Sequence, residues 1–186
     1  GEISLSDSTL DAFDFGGTQS LVGGEQTFSV TIGADDSIEE LSTCFGGAAP
    51  VGSVVTYDPN FIISCLDFGM RFTGITIPQG TTITSAFIDL VIDRRTFNLT
   101  NTTIVAQDVG DASVIIAPTS LFTFFSSSFD ITSRTETTAT VAWNGIPSSS
   151  AGSTITSPDI STIVQEIVDR GDWASGNDMF FRLQNS

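Results

Sequence analysis

The sequence predicts an all-β fold, namely a β-sandwich of jelly-roll or immunoglobulin-like type with one amphipathic helix late in the chain. Short apolar segments with strand-like patterns recur along the 186 residues, separated by turns rich in Gly, Pro and Asp. Residues 157–171 alone show the period of a helix. The predicted strands are 27–32, 38–45, 53–57, 61–72, 82–92, 102–106, 137–143 and 178–184.

The predicted helix depends on an apolar stripe at positions i, i+3, i+4, i+7 and i+8. Its members are Ile160, Ile163, Val164, Ile167 and Val168. We expect Ser157 to be the N-cap, with Pro158 at the first helical position and Asp159 in the first turn. Arg170 and Gly171 predict the end of the helix, because glycine accepts the left-handed conformation of a C-cap.

Local patterns also place strands and turns around this helix. Phe68, Met70 and Phe72 alternate with polar or small residues, which predicts a half-buried strand. Residues 87–92 are almost continuously apolar and predict a central strand. The sequence Pro-Gln-Gly at 78–80 predicts a turn between two strands. We expect the helical stripe to pack on the sandwich, with Trp173 covering its end.

The first 17 residues differ from the rest, so we divide the chain into an extended arm, 1–17, and a sandwich domain, 18–186. Apolar residues alternate in this arm, with one change of parity that requires a bulge. They are Ile3, Leu5, Leu10, Phe13 and Phe15. Gly16-Gly17 and Gly23-Gly24 follow, which favours an arm that reaches a neighbouring copy. The alternative is that the arm is the first strand of its own sandwich.

Cys44 and Cys65 are the two cysteines of the chain. An even number in apolar, strand-like surroundings predicts a disulfide between them, as expected for an exported protein. Two buried free thiols are the alternative. A zinc site would need two further soft ligands, and the chain has no histidine.

The composition excludes several classes of partner and catalyst. The net charge is −16, with 22 acidic residues against six arginines and no lysine. Such a surface repels nucleic acid and anionic lipid, and no segment is apolar enough to span a membrane. Without histidine or lysine, the Ser-His-Asp, Cys-His and Schiff-base arrangements are impossible. We therefore expect no enzyme and no cofactor, and we place the protein outside the cell.

Carboxylates could in principle form a glycosidase pair or a calcium site. The first acidic cluster contains Asp35, Asp36, Glu39 and Glu40, and the second pair is Asp108 and Asp111. Neither has the spacing of a calcium-binding loop, and no two carboxylates are marked as facing one cleft. We interpret both clusters as solvated turns and predict no metal site.

Two surface features remain. Asn98 and Asn101 each begin a glycosylation sequon in one loop-like stretch, so they are candidate glycosylation sites. An aromatic cluster is set among serines further along, and it is either buried under a loop or a candidate subunit contact. Its members are Leu121, Phe122, Phe124, Phe125 and Phe129.

Three segments carry a resemblance to a known family. The run Pro-Asp-Ile-Ser at 158–161, then Ile-Val-Gln-Glu-Ile-Val, Arg170, Trp173 and Ser-Gly-Asn at 175–177 is similar to the closing motif of a bacterial secreted β-sandwich domain family of unknown function. Residues 66–90 resemble its early strands, and residues 133–143 resemble its penultimate strand. The likeness covers about residues 66–183 and brings no catalytic residues. It implies an extracellular or surface-attached β-sandwich.

These observations lead to a functional prediction. A compact acidic domain with 40% hydrophobic residues and a glycine-hinged arm is typical of an assembling subunit. We expect a structural subunit of an extracellular, pilus-like fibre, a helical homopolymer in which each arm adds a strand to a neighbour's sheet. The alternative is a cell-surface carbohydrate-binding or adhesion module with glycans as partners. Such a module would use exposed aromatic platforms, and Tyr57 is the chain's one tyrosine.

Overall fold

The computed structural model describes residues 9–11, 26–30, 35–40, 54–55, 66–91, 100–115, 131–146, 149–150 and 152–185. Within these ranges the chain forms strands and one short helix. The first six strands are β1 (Thr9–Asp11), β2 (Phe28–Ser29), β3 (Asp36–Glu40), β4 (Val54–Val55), β5 (Leu66–Ile75) and β6 (Phe87–Val91). The later elements are β7 (Thr100–Ala106), β8 (Val141–Ile146), β9 (Thr154–Thr156), α1 (Ser161–Val168) and β10 (Asn177–Asn185).

The described strands form two sheets. One has the order β2-β1-β6-β9 and the other has the order β4-β3-β5-β10-β7-β8. Every strand pairing is antiparallel. The predicted all-β class is therefore confirmed. The last long strand, β10, lies between β5 and β7, so the C-terminal part of the described chain occupies the middle of the larger sheet.

One apolar cluster contains side chains from both sheets and from the helix. Met70 and Phe72 of β5 are fully buried beside Phe181 of β10. The rings of Phe72 and Phe181 meet edge to face, with their centroids 5.8 Å apart. Ile88 of β6 belongs to the same cluster, so the inner residues of the smaller sheet share the core of the larger one.

The helix packs as predicted. All five residues of its apolar stripe are buried, and Trp173 is buried in the same cluster. The indole Nε1 of Trp173 donates to the carbonyl of Ile77 at 2.9 Å. The Gln165 side chain both accepts from the amide of Ile83 and donates to the carbonyl of Thr81. These contacts hold the helix against the residues that precede β6.

The predicted start of the helix is wrong. Ile160 is the N-cap, and its side chain makes no capping hydrogen bond. Ser157 lies outside the helix because it continues the pairing with β6: its amide donates to the carbonyl of Ile88, and its Oγ accepts from the Ile88 amide. The amide of Ile160 likewise donates to Ala86. Backbone pairing with β6 and the residue before it thus extends to Ile160. The helix therefore begins at Ser161, although the local sequence favours an earlier N-cap.

The predicted C-cap is also wrong. Asp169 caps the helix in an ordinary right-handed conformation, and Gly171 is not among the described glycines with positive φ. Instead, the amide of Arg170 donates to the carbonyl of Ile167, and the amide of Trp173 donates to that of Arg170. Successive turns carry the chain away from the helix, so no left-handed residue is needed. The predicted turn at 78–80 is confirmed, because Thr81 donates to the carbonyl of Pro78 and Gly80 has φ +70°.

Strand β5 is covered on both faces, which differs from the predicted half-buried strand. Phe68, Met70 and Phe72 are buried as expected, but Asp67 and Gly69 are buried too. A second apolar cluster covers their face; it contains Ala112, Ile115, Ile131 and Phe180. A Cβ on Gly69 would lie 2.7 Å from Cζ of the Phe180 ring, so glycine lets that ring approach the strand.

Candidate assembly interface

Strand β1 occupies an inner position of the smaller sheet. On one side Thr9 pairs with Asp89 and Leu10 pairs with Ile88 of β6. On the other side Thr9 pairs with Ser29 of β2. The three residues of β1 therefore connect β2 to the rest of the sheet. If β1 left this position, β2 would lose the described partner that joins it to β6.

Of the five predicted arm residues, Leu10 lies within the described chain. It pairs with strands of the same molecule, which agrees with the alternative that the arm is a strand of its own fold. Ile3, Leu5, Phe13 and Phe15 lie outside the described residues. We call the position of β1 between β2 and β6 the slot. In this structure a strand of the same chain occupies the slot.

Strand β6, which forms one side of this slot, makes further contacts on its other side. Its far side pairs with β9, where Leu90 lies opposite Ile155. Beyond β9, the backbone pairing of Ser157 and Ile160 continues along β6. The carboxylate of Asp159 accepts hydrogen bonds from the amides of Ala86 and Ser161, at 3.1 and 2.8 Å. On the side away from β1, strand β6 and the residue before it are thus held by β9 and by the segment that leads into the helix.

The larger sheet ends at β8, and this edge is irregular. Thr100 pairs with Ile146 and Thr102 pairs with Trp143, so the register shifts by one residue between them. Gly145 lies in this bulge with φ +68°. Bulges twist an edge strand and make it a poor template for another strand. The described edge at β8 is therefore less suited to strand addition than the slot at β1.

Arginines on the outer face of the larger sheet form ion pairs and hydrogen bonds with neighbouring strands and with the segments that cover this face. Arg71 pairs with the buried carboxylate of Asp35 at 2.7 Å and also with Asp178. Its Nε donates to the carbonyl of Ala112. Arg182 pairs with Asp67 at 3.3 Å and with Glu136.

Arg134 lies over the same face. Its Cζ is 4.4 Å from the centroid of the Phe180 ring, which is the geometry of a cation–π contact. Its guanidinium donates to the carbonyls of Ser113 and Val114, at 3.0 and 3.1 Å. Sequence reasoning missed the roles of Arg71, Arg134 and Arg182. The signal for two of them was an arginine directly between two large apolar residues, as in Met70-Arg71-Phe72 and Phe181-Arg182-Leu183.

The first acidic cluster is not the solvated turn that we predicted, because Asp36, Glu39 and Glu40 belong to strand β3. Asp35 is buried in its ion pair with Arg71. Asp108 pairs with Arg170, and Asp111 accepts a hydrogen bond from the amide of Asp178 at 3.0 Å. Asp35 is therefore buried, Asp108 is partly covered, and Asp111 is exposed as predicted. Among the described residues, no group of three or more His, Cys, Asp or Glu side chains is placed to hold a metal ion.

The remaining predicted residues fall into two groups. Cys44, Cys65 and Asn98 lie outside the described residues, as does the aromatic cluster of Leu121, Phe122, Phe124, Phe125 and Phe129. Asn101 is exposed on β7, and its Oδ1 accepts a hydrogen bond from the amide of Gly145. Trp143 and Trp173 are both buried, so neither presents a face to solvent. No helix in the described ranges has the length and apolarity that a bilayer crossing requires.

The ion pair between Arg170 and Asp172, next to the helix, should make the free energy of unfolding depend on pH. Arg170 donates to Asp172 at 2.8 Å, and this hydrogen bond holds the pKa of the Asp172 carboxyl below its usual value of 3.8. A carboxyl with a lowered pKa stabilises the fold above its unfolded pKa, and this contribution is lost as the pH falls through its folded pKa.

We therefore expect Asp172→Asn to lower the free energy of unfolding at neutral pH, and we expect this difference from the unmodified chain to shrink as acid protonates Asp172. Urea unfolding of both chains from neutral pH to about pH 2 measures it. A difference that stays constant over this range contradicts the predicted contribution of the ion pair.

Comparison with known protein families, curated proteins and solved structures finds no match to this chain. The resemblance to the secreted β-sandwich family therefore stays a prediction from the motifs that carry it.

Proposed function

We propose that this protein is a structural subunit of an extracellular fibre, which polymerises when strand β1 of one copy enters the sheet of the next copy. The position of β1, paired with β2 on one side and with β6 on the other, carries the proposal. A strand that leaves such a position exposes unpaired amides and carbonyls on both neighbours. The same strand of a second copy restores those hydrogen bonds, as in donor-strand addition.

The connection between β1 and β2 supports an exchange of this kind. It comprises residues 12–27, and an extended chain of this length spans roughly 50 Å, at about 3.3 Å per residue. It contains Gly16-Gly17 and Gly23-Gly24. Glycine tolerates backbone conformations that other residues avoid. The connection can therefore follow either path, back into its own sheet or across to a neighbouring copy.

The same contacts form in both arrangements, so protein concentration and chain entropy decide between them. In a monomer, the chain's own β1 occupies the position between β2 and β6. In a fibre, β1 of the neighbouring copy occupies that position instead. A head-to-tail contact gives an open filament when its rotation does not close a ring. Because each copy carries a net charge of −16, added salt should favour assembly by screening repulsion over about 10 Å.

The remaining features fit a structural role outside the cell. Core side chains from both sheets belong to one cluster, which supports two sheets packed face to face as a β-sandwich. A chain without histidine or lysine lacks two of the residue types that often act as general bases or activate nucleophiles. A sugar-binding module would present aromatic rings to solvent, and the burial of Trp143 and Trp173 argues against it. We therefore infer a non-catalytic extracellular subunit.

Negative-stain microscopy of the purified chain tests this proposal. We expect filaments at high protein concentration and raised salt. A chain that lacks residues 1–15 should form none, because it has no strand to donate. The matched variant is Leu10→Pro, since proline removes an amide from the ladder of β1 without shortening the chain.

A peptide of residues 1–15 provides the control for loss of folding. Added to the truncated chain, it should bind and raise its melting temperature, while the same peptide with Leu10→Pro should not. Filaments formed by the truncated chain would contradict the proposal. So would an unmodified chain that stays monomeric at every concentration and salt tested.

A further inference from the structure

The bulge between β7 and β8 holds a chemically reactive dipeptide. Within the described pairing, Thr100 faces Ile146 and Thr102 faces Trp143. One residue of β7, Asn101, therefore lies opposite two residues of β8, Asn144 and Gly145. Both residues of β8 are exposed, and φ of Gly145 is +68°. The bulge thus presents an asparagine followed by glycine at the sheet edge.

An asparagine followed by glycine is prone to react with its own backbone. The amide nitrogen of the next residue can attack the side-chain Cγ, and glycine offers no side chain to obstruct that approach. In this protein the Gly145 amide donates to Oδ1 of Asn101, with 3.0 Å between nitrogen and oxygen. The attacking nitrogen is therefore engaged by a side chain of the neighbouring strand.

We propose that Asn144 is a site of spontaneous deamidation and that Asn101 holds this reaction in check. The Gly145 amide gives its proton to solvent, and its nitrogen forms a bond to Cγ of Asn144. The bond from Cγ to Nδ2 breaks, and ammonia leaves. Water then opens the resulting cyclic imide at one of its two carbonyls, giving aspartate or isoaspartate. No oxidant or reductant takes part.

The hydrogen bond to Asn101 restrains the first step in two ways. It stabilises the protonated amide, whereas attack requires the proton to leave. It also fixes the direction of the N–H bond towards the Asn101 side chain on β7. The ladder on either side of the bulge holds the backbone of β8 in place. Asn101 therefore acts as a positioning residue for the Gly145 amide.

The product would change this edge of the larger sheet. Aspartate adds one negative charge next to Asn101, in a chain whose net charge is already −16. Isoaspartate also inserts a methylene into the main chain, so Gly145 and Ile146 would shift relative to β7. The pairing of Ile146 with Thr100 then loses its register.

Peptide mass spectrometry of the full-length chain tests the proposal. Cleavage after Arg134 and Arg170 releases residues 135–170, in which Asn144 is the one asparagine. Its conversion appears as the mass change of NH replaced by O, and chromatography separates aspartate from isoaspartate. Asn144→Gln should abolish the signal. The unmodified chain should react more slowly when folded than when unfolded in urea.

The decisive pair is Asn101→Ala and Asn101→Asp. Alanine removes the acceptor and should speed deamidation of the folded chain about two- to tenfold, the range equivalent to one hydrogen bond. Aspartate keeps an acceptor oxygen and should leave the rate low. Hydrogen exchange at the Ala142 and Trp143 amides reports on any general loosening of β8. Unchanged exchange with a faster reaction supports the proposal.

Three results would overturn it. The first is an equal deamidation rate in the folded unmodified chain and in the folded Asn101→Ala variant. The second is a rate for Asn101→Asp as high as that for Asn101→Ala. The third is a faster reaction accompanied by a matching loss of exchange protection at Trp143, because the variant would then act by unfolding the strand.

Discussion

Replacing Ile167 by Asp should unfold the protein at neutral pH. Ile167 has no exposed surface and lies in the cluster that joins the helix to both sheets. The substitution removes buried apolar atoms and places an unpaired carboxylate among them, so we expect a loss of at least about 4 kcal/mol. Domains of this kind are stable by about 5–15 kcal/mol, so the loss removes much or all of that stability.

Two matched variants separate burial from other effects. Thr162→Asp adds the same charge to an exposed residue of the first helical turn, where the helix dipole favours it. Ile167→Val keeps the site apolar and should lose only about 0.5–1.5 kcal/mol. Circular dichroism during urea unfolding measures all three. If Ile167→Asp unfolds at the same urea concentration as Thr162→Asp, the helix is not part of the core.

Replacing Gly110 by Ala should produce the second largest loss. A Cβ there would collide with the backbone carbonyl of Asp172 and lie 2.7 Å from its Cγ. Backbone atoms yield less easily than the tip of a side chain, and the Asn177 side chain also ties this segment through a 2.7 Å hydrogen bond to the Gly110 carbonyl. We expect a loss of about 1–3 kcal/mol, the cost of overpacking a fixed contact.

Gly171→Ala is the matched control for this prediction. Gly171 is adjacent to Asp172, yet a Cβ on it would meet no atom within 4 Å. Its effect should stay within about 0.5 kcal/mol. Urea unfolding of both variants, with the slope of the transition compared, gives the two free energies. Equal stability of the two variants would mean that the segment around Gly110 does not pack closely on the turn after the helix.

The sequence was most informative where one short segment determines its own structure. The five apolar residues of the helix recur with a period that a strand cannot satisfy, and all five are buried. Its ends could not be predicted in the same way. Ser157 has the chemistry of an N-cap, but its hydrogen bonds go to Ile88, which is distant in the sequence. Pairing between distant segments overrides a local preference of about 1 kcal/mol.

Other strands also depend on contacts between segments that are distant in the sequence, and these contacts could not be predicted. The alternation in β5 correctly identified the inner face, but nothing local revealed that Phe180 and Ile131 would cover the outer face. Strand β9 was missed because Thr154–Thr156 is too short to show a period. The composition of residues 1–17 predicted an arm, while the position of β1 between β2 and β6 depends on contacts that no sequence pattern records.

Disulfide trapping between copies tests strand exchange most directly. Thr9 of β1 lies opposite Asp89 of β6. Directly paired residues have Cα atoms about 4.5–5.5 Å apart, which is within reach of a disulfide. One chain would carry Thr9→Cys and a second, tagged chain would carry Asp89→Cys, with Cys44 and Cys65 unchanged. The two chains would be mixed, assembled and oxidised, and each would also be oxidised alone as a control.

If β1 is exchanged in the fibre, the mixture should give a covalent dimer that contains one chain of each kind, and neither chain alone should give it. A chain with both substitutions should then form a covalent ladder of polymers. If β1 stays in its own sheet, the double variant should form its disulfide within one monomer while the mixture gives no dimer. That result would contradict assembly by strand exchange.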